Sequence, residues 1–300
     1  MPLFMLLSGL FFEKSASMPL GGMFKKRYLQ WVLPATFFAA VLAIPSLFEE
    51  DGRQLAEVWL KRVIYPAPYW YVTALLFCVI VSSVFYKLFR GRLILAALVS
   101  TVPVLLLPDI SFVLTPDYKF MLPYFWLGAI MMRYSGRFTK EWVIASVSLL
   151  LFAVMFCMQR DQCFIYSSSF SDITIKLFPF SVIYGNPLNV AGMVSLYGLG
   201  LFGSVALFFT LKSAYPYIKR FMITGLISYI GKNTLGIYFI SICVNSYFSD
   251  FVSFPAKPEW IYDLVYTIAY SVLTIFLCLV IINCIKRSGL LSKLFLGIYQ

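Results

Sequence analysis

Three cations in succession, Lys25, Lys26 and Arg27, are the most chemically suggestive run in the chain. A guanidinium binds phosphate through two parallel hydrogen bonds and stays ionised beside lipid, so Arg27 is the best-placed group for holding an anionic substrate. The same three residues also suit a plain role as anchors at a membrane surface. A second candidate is Gly231-Lys232-Asn233-Thr234, which closes one apolar patch and opens another. Phosphate at a helix N-terminus is physically sound there. The stretch is not a P-loop, because Gly225 and Gly231 are one residue too far apart and Asn233 stands where Ser or Thr is required. Asn233 as a simple helix N-cap is the other reading. The chain holds no histidine, so no Ser-His-Asp or Cys-His triad and no histidine-ligated metal can be assembled from it. Six cysteines without a CxxC pair give no zinc, haem or iron–sulfur ligand set, and no metal is expected.

The elements that carry these residues follow from composition. Of 300 residues, 61% are hydrophobic and only 12% charged, about half the charge of a soluble chain. A surface built from this composition is apolar, and lipid is its solvent. Apolar runs are expected to span at 28–48, 65–86, 93–108, 120–132, 142–158, 187–211, 234–248 and 261–285. The 120–132 run is too short alone and should begin within the preceding Asp117–Lys119 segment. All must be helices, since lipid satisfies no backbone group. The expected fold is all-α, a polytopic bundle of about eight full transmembrane helices and one partial helix at the N-terminus, forming a single membrane-embedded domain over residues 1–300. Residues 1–12 would reach only about 18 Å as a helix, short of a hydrocarbon core of about 30 Å. They are read as half a helix whose upstream part is missing, with an interfacial half-helix starting at Met1 as the alternative.

Charge orients the bundle. One set of alternate loops holds 17 basic residues, including Lys25, Arg27, Arg133, Lys232 and Lys286, with only Glu13 and Glu141 as acids. The other set holds 7 basic residues and the remaining 11 acids. The first set is cytoplasmic by the positive-inside rule, as is the C-terminus after Lys286, Arg287 and Lys293. The net charge of +11 is thus explained by topology, without nucleic acid as a partner. Trp70, Tyr71, Trp126, Trp142 and Trp260 lie near span ends, as membrane-interface residues do. Asn245, Asn283 and Asn189 inside spans suit bonds between helices, and Gly198, Gly200, Gly203 and Ser204 form a small face for close packing. The spans hold few ionised groups, which argues against a proton- or ion-coupled pump.

Several stretches resemble the membrane-bound acyltransferase 3 family. They are Met1-Pro2-Leu3-Phe4 through Ser8-Gly9; Phe24-Lys25-Lys26-Arg27 with Pro34; Tyr69-Trp70-Tyr71-Val72; Pro123-Tyr124-Phe125 with Gly128 and Arg133; and Ile230 to Tyr238, IGKNTLGIY. The resemblance runs to about Tyr238. It departs at two points: the family's first helix, with its Arg and His, has no counterpart here, and the second arginine of the basic loop is Gln30. The resemblance implies an enzyme that moves an acyl group, often acetyl, from acyl-coenzyme A to a sugar hydroxyl of a surface polysaccharide or its lipid-linked precursor, in the inner membrane of a cell. Arg27 would be catalytic, and Lys25, Lys26, Trp70, Lys232 and Asn233 would contact substrate. Its partners would be the bilayer and the glycan or lipid-linked acceptor. A transporter or flippase, a glycan polymerase, or an inactive truncated family member are the alternatives.

Overall fold

A computed structural model describes residues 1–44, 69–106, 115–137, 140–158, 171–177, 180–185, 190–248 and 260–297. One end of each of the 28–48, 65–86, 93–108 and 187–211 runs, and Asn189, lie outside these residues. The chain groups into two compact units, each drawn from two separate stretches. The first comprises Met1–Phe24 and Ala74–Arg220, the second Lys25–Thr73 and Phe221–Gln300. The described parts of all eight expected runs fall on helices, and the protein is a helical membrane protein. Among the described residues, three helices are individually long and apolar enough to cross: Trp70–Leu88, Tyr197–Ile218 and Val265–Lys286. A pair bent by 74°, Thr224–Lys232 with Thr234–Tyr247, would be a fourth if it is counted as one span. The outward faces are apolar, with Leu98, Leu150, Val272 and Phe276 all more than half exposed, as the composition requires of a lipid-facing surface.

In the first unit, helix α1 (Pro2–Leu10) opens with proline at its first position, where a missing N–H costs nothing. A short α2 (Phe12–Ala16) follows, and α3 (Leu20–Arg27) begins in this unit and ends in the other. Helix α5 (Trp70–Leu88) passes in the opposite sense, and α6 (Leu93–Leu106), α7 (Thr115–Arg133) and α8 (Glu141–Met158) follow it. Helix α7 incorporates Asp117 and Lys119, as the short 120–132 run required. Contact between α1 and α7 is backbone to backbone. A Cβ added to Gly9 would lie 1.9 Å from the Phe125 carbonyl oxygen, and one added to Gly128 would lie 1.9 Å from that of Leu6. Below this crossing, Phe12 is fully buried with its ring edge-on to Tyr86, Phe125 and Trp126, centroids 5.3 to 5.6 Å away. Trp126 donates its indole N–H to Ser100 at 2.8 Å, so it is a core residue and not an interface residue.

Residues 159–186, expected as the longest outer loop, contain a hairpin. Strand β1 (Ser171–Leu177) pairs antiparallel with β2 (Phe180–Gly185), Ile175 opposite Val182 and Ile173 opposite Tyr184. Alternating Ile, Thr and Val give these segments β propensity, and they are too short to compete as spans. Helix α9 (Val190–Ile218) runs on past its expected end at 211. Its glycines admit α8 closely, as anticipated: Gly198 faces Met155 and Gly203 faces the Phe152 ring.

The second unit contains the end of α3, a π-helical turn (Tyr28–Val32) and α4 (Leu33–Leu42). Across the chain from these come α10 (Met222–Lys232), α11 (Thr234–Phe248), α12 (Trp260–Lys286) and α13 (Gly289–Leu296). Its core joins Ala35, Phe38, Ala39, Tyr69, Val72, Phe239, Ile240, Cys243, Cys278, Ile282 and Leu296. Rings dominate it: Phe38 stacks on Phe239 at 5.6 Å, and Tyr69 meets Phe239 edge-on at 5.4 Å. Tyr69 donates its hydroxyl proton to the Phe239 carbonyl at 3.1 Å, and Tyr247 donates to that of Val41 at 2.6 Å.

Candidate functional site

The basic run expected as a loop is helical. Lys25, Lys26 and Arg27 form the last turn of α3, and the helix passes without a break into the π turn and α4. Proline explains the change of pitch. Pro34 has no N–H to give the carbonyl of Gln30, four residues earlier, and its ring crowds that carbonyl. A wider turn relieves the conflict. Leu33 donates its N–H to the carbonyl of Tyr28, five residues back, as a π bulge requires. Such bulges are frequent at functional sites.

This turn sets the posture of Arg27. Its guanidinium carbon lies 4.6 Å from the centroid of the Trp31 ring, one turn further on, within cation–π range. Trp31 packs in turn against the aromatic core. Arg27 is half-buried, whereas Lys25 and Lys26 are exposed. Burial lowers the pKa of Arg27 from its ordinary value, but a guanidinium remains charged at any physiological pH. The result is one oriented cation beside two exposed ones, a set able to hold a phosphate-bearing group.

Asn233 lies at a bend, where α10 and α11 meet at 74°. It is buried, and both ends of its side chain are engaged. Its Nδ2 donates to the Tyr229 carbonyl at 2.8 Å, while its Oδ1 accepts from Lys286 Nζ at 2.6 Å. The side chain therefore reaches back into α10 and across to α12, so the N-cap reading is corrected: Asn233 ends α10 without capping α11 by its side chain. Its backbone carbonyl accepts from Ile237 N, the first bond of α11. Thr234 Oγ1 also turns back, donating to the Gly231 carbonyl at 2.9 Å. A second tie secures the same bend, as Tyr229 donates its hydroxyl proton to Asn283 Oδ1 at 2.7 Å. Lys232, the last residue of α10, is exposed.

Trp70 opens α5 and is partly buried. Its ring meets Tyr71 edge-on at 6.4 Å, and Tyr71 meets Tyr238 at 5.8 Å. Trp70 is thus linked through rings to α11, the helix that follows Lys232 and Asn233. The six residues singled out from the sequence all belong to the second unit. Asn283 and Asn245 bond between helices as their types suggested, Asn245 accepting from Tyr270 at 3.0 Å.

Sequence reasoning missed Lys286 as more than a topology anchor, and it missed Gly297 entirely. Lys286 is 53 residues from its partner Asn233, and no spacing rule connects them. The first unit has its own cation, Arg133. It pairs with Glu13 at 2.8 Å and donates to the Gly91 carbonyl and the Tyr86 hydroxyl at 3.0 and 3.1 Å. Three protein partners and its position as the final residue of α7 make it a brace between helix ends.

A family model described as an acyltransferase domain matches residues 1–283. No curated protein and no solved structure matches the chain.

Proposed function

Because the chain belongs to the acyltransferase 3 family and is a membrane acyltransferase, we propose that it transfers an acyl group, acetyl in the first instance, from acyl-coenzyme A. The acceptor in this reading is a sugar hydroxyl of a surface polysaccharide or its lipid-linked precursor. In the transfer, the hydroxyl oxygen bonds to the acyl carbon and the carbon–sulfur bond breaks. The hydroxyl proton leaves for the coenzyme thiolate, which departs as the free thiol. Activation of that hydroxyl requires a proton acceptor, and no histidine of these 300 residues can supply it.

The observation that carries the donor side is the oriented guanidinium of Arg27 above Trp31, with Lys25 and Lys26 exposed beside it. In this reading the three cations hold the phosphates of the donor, with Lys232 as a further contact. Trp70 and the adjoining rings offer apolar stacking surface to an acceptor. Asn233 serves by holding the bend that presents Lys232. In this reading the donor side faces the cytoplasm of a multi-pass inner-membrane protein, which the positive-inside rule supports.

Two measurements test the reading. Arg27→Ala should abolish incorporation of labelled acetate into surface glycan while leaving protein level nearly unchanged. One lost cation has little effect on insertion, whereas a lost charged hydrogen bond costs about 1.5–3 kcal/mol of binding. Undiminished acylation by the stably expressed variant sinks the role of Arg27. A reporter that is active only outside the cytoplasm, fused after Gln300, should be silent; strong activity would reverse the orientation.

A further inference from the structure

The family match ends at residue 283, yet the chain beyond it grips both cationic segments of the second unit. At one end Lys286 Nζ donates to Asn233 Oδ1 at 2.6 Å, at the bend that carries Lys232. At the other end Gly297 lies against the π turn that follows Arg27. Gly297 closes α13 in the left-handed conformation, with φ at 62°, and donates its N–H to the Ser292 carbonyl. A Cβ there would lie 2.3 Å from the Gln30 carbonyl oxygen and 2.7 Å from the Gln30 Cα. Only glycine permits both the backbone angle and this approach. The Gln30 carbonyl is also the one that Pro34 cannot serve in an α-helical register.

Between the two grips, α13 is fixed along its length. Ser288 caps its start by accepting from Leu291 N. Phe295 packs against the rings of Phe37 and Phe38, at 5.6 and 5.4 Å. Leu296 fills the space beside Gly236, where a Cβ would meet it at 3.0 Å. An eight-residue helix is about 12 Å long, and this one begins three residues after Lys286, which closes α12, and ends at the glycine seated on the π turn.

We infer that residues 286–297 form a strap that positions the donor-binding cations, Lys286 setting the Asn233 bend and Gly297 setting the π turn beneath Arg27. The inference rests on the donor-site reading above. Lys286 and Gly297 are positioning residues: each acts on the cations through the backbone it holds, Lys286 by way of Asn233. Donor affinity then depends on a segment outside the matched acyltransferase domain.

The test uses the purified full chain in lipid nanodiscs, with coenzyme A as the probe. Affinity is read by calorimetry, and hydrogen exchange is read in peptides covering residues 28–32 and 229–233. Gly297→Asn keeps a residue tolerant of the left-handed angle but adds the colliding Cβ. It should weaken coenzyme A binding about fivefold or more and speed exchange in 28–32. Lys286→Met should weaken binding and speed exchange in 229–233, and Lys286→Arg should restore both. If Gly297→Asn does not accumulate, the Lys286 pair decides. Wild-type affinity and exchange in folded Lys286→Met overturn the strap alone. A wild-type chain that does not bind coenzyme A overturns the donor site, and the positioning role with it.

Discussion

The two units join their helices by different means. In the first, helices meet through glycine, with α1 and α7 in backbone contact at Gly9 and Gly128 and α8 seated on Gly198 and Gly203 of α9. In the second, they meet through rings and long-range polar ties: Phe38 on Phe239, Tyr69 on the Phe239 carbonyl, Asn233 with Lys286 and Tyr229 with Asn283. Small residues let dispersion accumulate over a long interface where lipid removes the hydrophobic driving force. Side-chain ties do something else: they fix irregular backbone, such as the 74° bend at Asn233, which a glycine stripe cannot do. Every candidate substrate residue lies in the unit built the second way.

The sharpest way to break this contrast is to add one methyl group at a glycine in each unit. Gly128→Ala drives a Cβ onto the Leu6 carbonyl, and a backbone collision cannot be relieved by a rotamer change. The expected loss is about 3 kcal/mol, the upper end for overpacking, seen as a large drop in melting temperature in detergent. Gly225→Ala in α10 meets nothing within 4 Å and should be neutral or stabilising by about 0.5–1 kcal/mol. Equal effects at the two positions would remove the distinction.

A smaller effect sharpens the other half. Tyr69→Phe keeps the ring packed but deletes the hydroxyl that serves the Phe239 carbonyl. About 1 kcal/mol should be lost, measured by chemical denaturation in micelles, and the unit should remain folded. A loss several times larger would mean that the polar tie, and not ring packing, holds this core together. The smallest effect belongs to Glu13→Gln, which breaks the pair with Arg133. Both side chains are about one-third exposed, so the cost should fall below about 1 kcal/mol. It should shrink further in high salt. A salt-independent loss of more than that would make Arg133 a structural keystone of the first unit.

Much of the architecture was legible in the chain itself. Runs 142–158, 234–248 and 261–285 became helices almost at their expected ends, because a hydrocarbon core fixes both the length and the hydrogen bonding of whatever crosses it. Gly198 and Gly203 announced close packing, and Asn245 and Asn283 announced bonds between helices. The family was legible too, in the order of short motifs from Met1 to Tyr238. What escaped was irregular. The basic run looked like a loop, since charge among apolar residues usually marks one, yet it is the last α-helical turn of a continuous helix that passes through a π turn ahead of Pro34.

The sequence by itself determined solvent, the apolar helices and the identity of the candidate cations, because each follows from composition or from neighbours a few residues away. Tertiary structure alone decided which of those cations share a unit and what holds them. The Asn233–Lys286 tie spans 53 residues, and the seat of Gly297 against Gln30 spans most of the chain. Neither depends on a pattern of residue types, only on where packed helices bring distant backbone to rest. Such contacts leave no periodic trace, since one amide, one ammonium and one missing Cβ are enough to make them.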